Sequence, residues 1–194
     1  MLGRYAAFRF YKNRALKALL IGDALVLTAS AMLTPIYAVF VQGVGGDLLD
    51  AGITASALAF GSAIASLIAG RYADSLRDKK SLVVLGYAIT GLGFLLFTTV
   101  NSVWYLAIVQ LMIGLVRAFA EPAFDALYSV HLDKKREAEE WGAWEGMSYF
   151  VGGLGALFGG LVVSYFSFNT LFLTMAALCA VSAFYMLRVP QRTL

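Results

Sequence analysis

Cysteine and histidine occur once each in 194 residues, proline three times, and charged residues make up only 14% of the chain. Each scarcity excludes a class of protein. Cys179 sits alone in an apolar run, cannot form an intrachain disulfide, and reads as a small hydrophobe. His131 lies beside a charged loop, faces water at a helix end, and has no cluster of metal ligands around it. No glycine-rich phosphate loop with a lysine is present, so nucleotide hydrolysis is not expected. A hydrolase working inside a membrane through serine and histidine needs a histidine in an apolar stretch, and no stretch has one. The expectation is therefore a protein that is not an enzyme and uses no metal or other cofactor. No cleavable signal peptide is expected either. The apolar stretch after Lys17 is too long for one and lacks a small-residue cleavage site.

What the chain has instead is apolar bulk. Hydrophobic residues make up 60% of it, whereas a soluble domain is nearer half apolar and a quarter charged. No soluble interior of this size holds that excess, so the solvent is lipid. Apolar stretches of about 20 residues, the length that crosses about 30 Å of hydrocarbon, fall at 18–41, 51–70, 81–100, 103–129, 142–165 and 169–188. An open strand edge does not survive in lipid, so all six are expected to be helices. The fold class is all-α, a polytopic membrane protein. Its expected parts are a basic N-terminus over 1–17, a transmembrane domain over 18–188 and a tail over 189–194.

Basic residues set the orientation. Arg4, Arg9, Lys12, Arg14 and Lys17 precede span 1, and Arg71, Arg77, Lys79 and Lys80 follow span 2. Lys134, Lys135 and Arg136 follow span 4, and Arg188 and Arg192 end the chain. Every lysine and arginine except Arg117 thus falls on one side, while the opposite loops carry only Asp47 and Asp50. The positive-inside rule puts both termini in the cytoplasm, and the expected location is a bacterial inner membrane. Trp104 is expected at the outer interface, Trp141 and Trp144 at the inner one. The net charge of +3 is a topology signal. No interleaving of aromatic and basic residues for base stacking accompanies it, so nucleic acid is not an expected partner.

Span 4 interrupts its apolar run with Arg117, Glu121 and Asp125 at i, i+4 and i+8, on one helix face. Each such group costs roughly 2.5–3.5 kcal/mol at the centre of a bilayer, so a chain keeps them there when they line a polar path or pair with one another. Arg117 and Glu121 fit either use, as transport residues or as a structural ion pair. Pro122 removes the backbone bond to residue 118 beside them. Span 1 holds Asp23, about five residues from its inner end, where it serves transport or snorkels to the interface. Spans 2 and 5 are rich in small residues that let helix backbones approach closely. Span 2 has Ala55, Ala59 and Ala63 with Ser62, Ser66 and Gly70; span 5 has Gly152, Ala156 and Gly160 with Gly155 and Gly159. Spans 3 and 6 carry no charge ahead of Arg188, where span 6 ends, and are expected to face lipid. The roles repeat as charged, small, apolar. Three spans per repeat invert the second copy, the inverted-repeat pattern of secondary transporters.

Residues 70–80 read GRYADSLRDKK. The run from Gly70 through Asp74 to the basic pair Lys79 and Lys80 resembles the loop 2–3 signature of the major facilitator superfamily. Arg77 stands where that family usually has glycine and Asp78 where it has arginine; one inserted residue restores the register. Asp125 matches the acid that pairs with this loop in the family. In span 5, GALFGG at 155–160 is similar to the family's Gly-Pro-x-x-Gly-Gly element with alanine in the proline position. Arg117 sits where span 4 of many proton-linked members has an arginine.

The resemblance implies two six-helix halves with a central site between them, and this chain supplies one half. It is expected to be a natural half-size transporter that dimerises, a fragment of a twelve-helix protein, or a half with a different partner chain. One-sided basic charge forbids an antiparallel pair, so a homodimer would be parallel. The favoured activity is secondary transport of a small solute by alternating access, with proton coupling through Asp23 or Glu121. The competing reading is a membrane scaffold that carries nothing.

Overall fold

The computed structural model describes residues 13–75 and 78–194, with the backbone alone over 72–75. Arg4, Arg9, Lys12 and Arg77, with the Asp74 side chain, lie outside the described residues. Among the described residues six helices are long and apolar enough to cross a membrane: Arg14–Gly43, Leu48–Arg71, Lys79–Phe97, Val103–Val130, Glu137–Tyr165 and Phe168–Arg188. These are spans 1 to 6. Every regular element among the described residues is helical.

The helices overrun the apolar stretches at several ends. Span 1 opens at Arg14, where the Asn13 side chain accepts from the N–H groups of Ala15 and Leu16 at 3.1 and 3.2 Å. Span 5 opens at Glu137, and Glu137, Glu139 and Glu140 in its first turn suit the positive end of the helix dipole. Apolarity marks the hydrocarbon, whereas backbone bonding continues beyond it. In span 1 a 3-10 turn at Thr34–Ile36 carries Pro35, which lacks the N–H an unbroken helix needs.

The spans pack in a linear order, 5–1–6–3–4–2. Exchanging span 1 with 4, 2 with 5 and 3 with 6 maps that order onto itself, so the two three-helix repeats are related as an inverted pair. The closest backbone approaches obey the same exchange. A Cβ built on Gly155 would lie 2.6 Å from the Thr28 carbonyl oxygen of span 1, and one on Gly159 only 1.9 Å from that of Met32. Between spans 2 and 4, a Cβ on Gly114 would lie 2.1 Å from the Leu58 carbonyl oxygen, and one on Gly61 would lie 2.7 Å from that of Leu111. At all four positions only glycine admits the neighbouring backbone.

Within this six-helix unit three packing expectations need correction. Gly152 and Gly160 have open space where a Cβ would stand, and so does Gly70 among the described residues. Span 5 turns its Gly155–Gly159 row to span 1, and the row one residue away cannot face it too. In span 2 the buried row is Thr54, Gly61, Ala65 and Ala69, while Ala55, Ala59, Ala63 and Ser66 are exposed. Spans 3 and 6 are not simply lipid-facing. Half of the apolar window of span 3 is buried, against 11% for span 5. They pack on each other and on spans 4 and 1, and turn out one apolar face, with Leu85 and Leu92 on span 3 and Phe184 and Leu187 on span 6.

Two apolar clusters fill the bundle. Phe40, Phe94, Phe97 and Phe172 anchor the one near Asp47 and Asp50, the acidic end. Phe40 and Phe172 meet edge to face with centroids 4.8 Å apart. Leu16, Val83, Phe124, Tyr128 and Met186 anchor the other, near Lys80 and Lys134, the basic end.

Candidate functional site

Asp23 sits between these clusters on span 1. Its side chain does not snorkel. The residue is only 9% exposed, and both carboxylate oxygens take donors from other spans. The Tyr87 hydroxyl of span 3 donates to Oδ1 at 3.1 Å, and the Trp144 indole Nε1–H of span 5 donates to Oδ2 at 2.8 Å. A buried carboxylate is tolerated when it is hydrogen-bonded in this way. The local backbone is equally fixed. Ser182 Oγ of span 6 donates to the Gly22 carbonyl at 2.6 Å, and Gly22 itself lies against Met186.

Across from Asp23, span 4 presents its polar face. Arg117 donates to Glu121 Oε1 through Nε at 2.9 Å and through Nη2 at 2.7 Å. The ion pair therefore forms, but it is not sealed in dry packing: the Arg117 side chain is 34% exposed and that of Glu121 55%. Asp23, Arg117, Glu121 and Asp125, with Tyr87 and Trp144, line one cavity of about 280 Å³. Three carboxyl groups face one guanidinium there. A second cavity of about 340 Å³ continues toward the acidic end, lined mainly by Tyr37, Phe94, Phe97, Gln110 and Ile113. Arg117 and Ser30 line both, so the guanidinium stands at the waist between a charged chamber and a largely apolar one.

Asp23, Arg117 and Glu121 thus meet in one crevice. Asp125, expected beside loop 2–3, lines the same crevice, and its relation to Asp74 lies outside the described residues. Lys79 opens span 3. Lys80 reaches another place: its Nζ donates to the carbonyls of Leu187 and Val189, at 3.1 and 2.5 Å, where span 6 ends. Asp78 caps span 3, accepting from the Ser81 N–H at 3.1 Å and the Ser81 hydroxyl at 2.5 Å. Those two donors hold its carboxyl below the usual carboxylate range.

Sequence reasoning missed Tyr87 and Trp144. Its place in the chain marks Trp144 for the membrane interface, and its ring contacts Trp141 edge to face at 5.7 Å. Its indole N–H is the signal that was available, because a donor in an apolar span needs a partner. Which span supplies that partner depends on helix packing, which spacing along one helix does not reveal.

The Major Facilitator Superfamily family model matches residues 19–194. Over 168 residues the chain is 26% identical to the proton-coupled antiporter flippase LtaA of Staphylococcus haemolyticus, covering 82% of this chain and 40% of that protein. It is 25% identical over 130 residues to the uncharacterized MFS-type transporter MJ1560 of Methanocaldococcus jannaschii, covering 67% of this chain and 33% of that protein. The LtaA of Staphylococcus saprophyticus is 28% identical over 149 residues, covering 72% and 35% respectively. The chain spans well under half the length of these relatives. Six membrane-length helices in two inverted triplets, a charged crevice facing spans 1 and 4, and a family match across nearly the whole length lead to one assignment: this integral membrane chain belongs to the major facilitator superfamily.

Proposed function

We propose that the chain is one six-helix half of a secondary carrier that moves a small solute by alternating access, coupled to protons through Asp23 and Glu121. The observation that carries this reading is the gathering of Asp23, Arg117 and Glu121 in one open crevice. Ionisable groups inside a membrane are costly and are kept where they line a path or bind cargo. A carboxylate beside a guanidinium has the chemistry to exchange a proton for a bound solute. Similarity to the Staphylococcus proton-coupled antiporter flippases supports coupling to protons.

The carrier needs a second six-helix unit. Alone, Glu121 and the small-residue face of span 2 at Ala55, Ala59 and Ala63 would meet acyl chains. A second unit, either another copy of this chain in parallel or a different half, would close the crevice and keep the charges in water. The positive-inside rule favours both termini in the cytoplasm of a bacterial cell.

The test is flux. The protein is purified in its native assembly, reconstituted into vesicles and supplied with labelled solute libraries under an imposed pH gradient. The expected result is solute movement that stops when the gradient collapses and is lost in Arg117→Ala. Flux indifferent to the gradient removes the proton coupling. Unchanged flux in Arg117→Ala, with altered assembly, overturns the carrier reading in favour of a scaffold.

A further inference from the structure

We propose that Tyr87 and Trp144 form a two-donor clamp on Asp23, in which Tyr87 is the exchangeable partner that admits a proton and Trp144 the fixed one that ties span 5 to the charge of Asp23. The inference rests on the reading of Asp23 as a proton-carrying group.

The two donors differ in kind. An indole N–H only donates, so Oδ2 must stay an acceptor in every protonation state. A phenolic hydroxyl both donates and accepts. A proton entering from water in the crevice can bind Oδ1, where the Tyr87 hydroxyl reverses its hydrogen bond to suit, whereas Trp144 can only go on donating to Oδ2. The Tyr87 O–H then turns away from Oδ1 toward the crevice, which both residues line, and its oxygen accepts from the new Asp23 O–H. Tyr87 stays a neutral phenol throughout. The one O–H bond formed is on Asp23, and the proton leaves by the same route to water.

The surroundings allow this exchange. From span 4, Arg117 and Glu121 act on Asp23 across the crevice, and Asp125 lines the same space. From span 6, Cys179 acts on Tyr87, and Ser182 holds the Gly22 carbonyl. On span 5, Glu145 is exposed beside Trp144. The backbone beside Asp23 is held, because Gly22 packs on Met186 and its carbonyl accepts from Ser182.

Span 5 has two holds on span 1. Toward the acidic end they are the backbone approaches at Gly155 and Gly159. Toward the basic end it is the Trp144–Asp23 bond. A hydrogen bond to a charged group is roughly twice as strong as a neutral one. Protonation of Asp23 thus weakens the hold of span 5 on span 1 at that end, where the Tyr128 hydroxyl of span 4 still donates to the Glu140 carbonyl at 2.7 Å, and leaves the glycine contacts unchanged.

The test reads Trp144 directly. With Trp104→Phe and Trp141→Phe, Trp144 is the one remaining tryptophan, and its emission is followed against pH in the assembled protein in lipid nanodiscs. One single-proton transition is expected. It is abolished by Asp23→Asn, which still offers Trp144 an oxygen, and survives Glu121→Gln and Asp125→Asn. Tyr87→Phe displaces the midpoint by about one pH unit, the difference between a charged and a neutral hydrogen bond. An emission that does not titrate, a transition that persists in Asp23→Asn, or a midpoint unmoved in Tyr87→Phe overturns the clamp. The readout needs no transport. A titrating Trp144 in a protein whose flux ignores the gradient sinks the carrier's coupling and spares the clamp, and steady emission in a coupled carrier does the reverse.

Discussion

Gly159 of span 5 rests against Met32 of span 1 so closely that a Cβ on the glycine would stand 1.9 Å from the Met32 carbonyl oxygen. Backbone, not a pliable side chain, blocks that position, so the helices must separate to admit a methyl group. Gly159→Ala is expected to destabilise the protein by about 1–3 kcal/mol, the usual cost of overpacking. Gly152→Ala, on the same helix with open space at its Cβ, is expected to be neutral or slightly stabilising. Thermal unfolding in detergent, compared for the two variants, checks the contrast.

Arg117 and Glu121 invite a different separation, between stability and flux. The pair is one helical turn long and partly exposed, so Arg117→Ala is expected to change stability by less than about 1 kcal/mol. Flux in vesicles is nonetheless expected to collapse. A large loss of stability, with flux per folded molecule unchanged, would make the pair a structural device.

Lys80 ties the start of span 3 to the end of span 6 through the Leu187 and Val189 carbonyls. Lys80→Met removes both donors and is expected to cost about 1 kcal/mol. The loss is local, and hydrogen exchange over residues 187–194 is expected to quicken while the centre of span 6 stays protected.

Asp78 gives a pH dependence with a fixed sign. Its carboxyl lies below the ordinary value of 3.8, held there first by the Ser81 hydroxyl and then by the Ser81 N–H. A group depressed in the folded state contributes its stability above the unfolded value and loses it as pH falls through the folded one. The first turn of span 3 is therefore expected to fray below pH 3.8, seen as faster exchange at Ser81. Asp78→Asn keeps a capping side chain and is expected to remove the pH dependence.

The exposed row on span 2 tests the partner. Cysteines placed at Ala59 or Ala63 are expected to cross-link between two six-helix units in native membranes, and the native Cys179 is buried and contributes no background. Products that are monomeric only, at both positions, would count against a second unit on this face.

The sequence revealed the six spans and their inversion because both are written in one dimension, as apolar length and as repeated roles. It also revealed Asp23, Arg117 and Glu121, since charge inside an apolar run is conspicuous whatever its neighbours. It did not reveal Tyr87, whose hydroxyl lies in an ordinary apolar span and gains its role only where span 3 meets span 1. The glycine rows show the same boundary. Gly155 and Gly159 differ from Gly152 and Gly160 only by rotation about the helix axis, and the partner helix decides which row is used. Lys80 looked like part of a charge cluster, and its length carried it to carbonyls more than a hundred positions away.

An open row of rods behaves unlike a closed ring. With the order 5–1–6–3–4–2, the two terminal rods each lean mainly on a single neighbour, whereas the four between them are braced on both sides. Mechanical compliance is then concentrated at the flanks, beside the mouth of the crevice, and the middle acts as a stiff spine. Moving either flank therefore means parting one glycine-lined seam, 5–1 or 2–4, and leaves the phenylalanine cluster of spans 1, 3 and 6 packed.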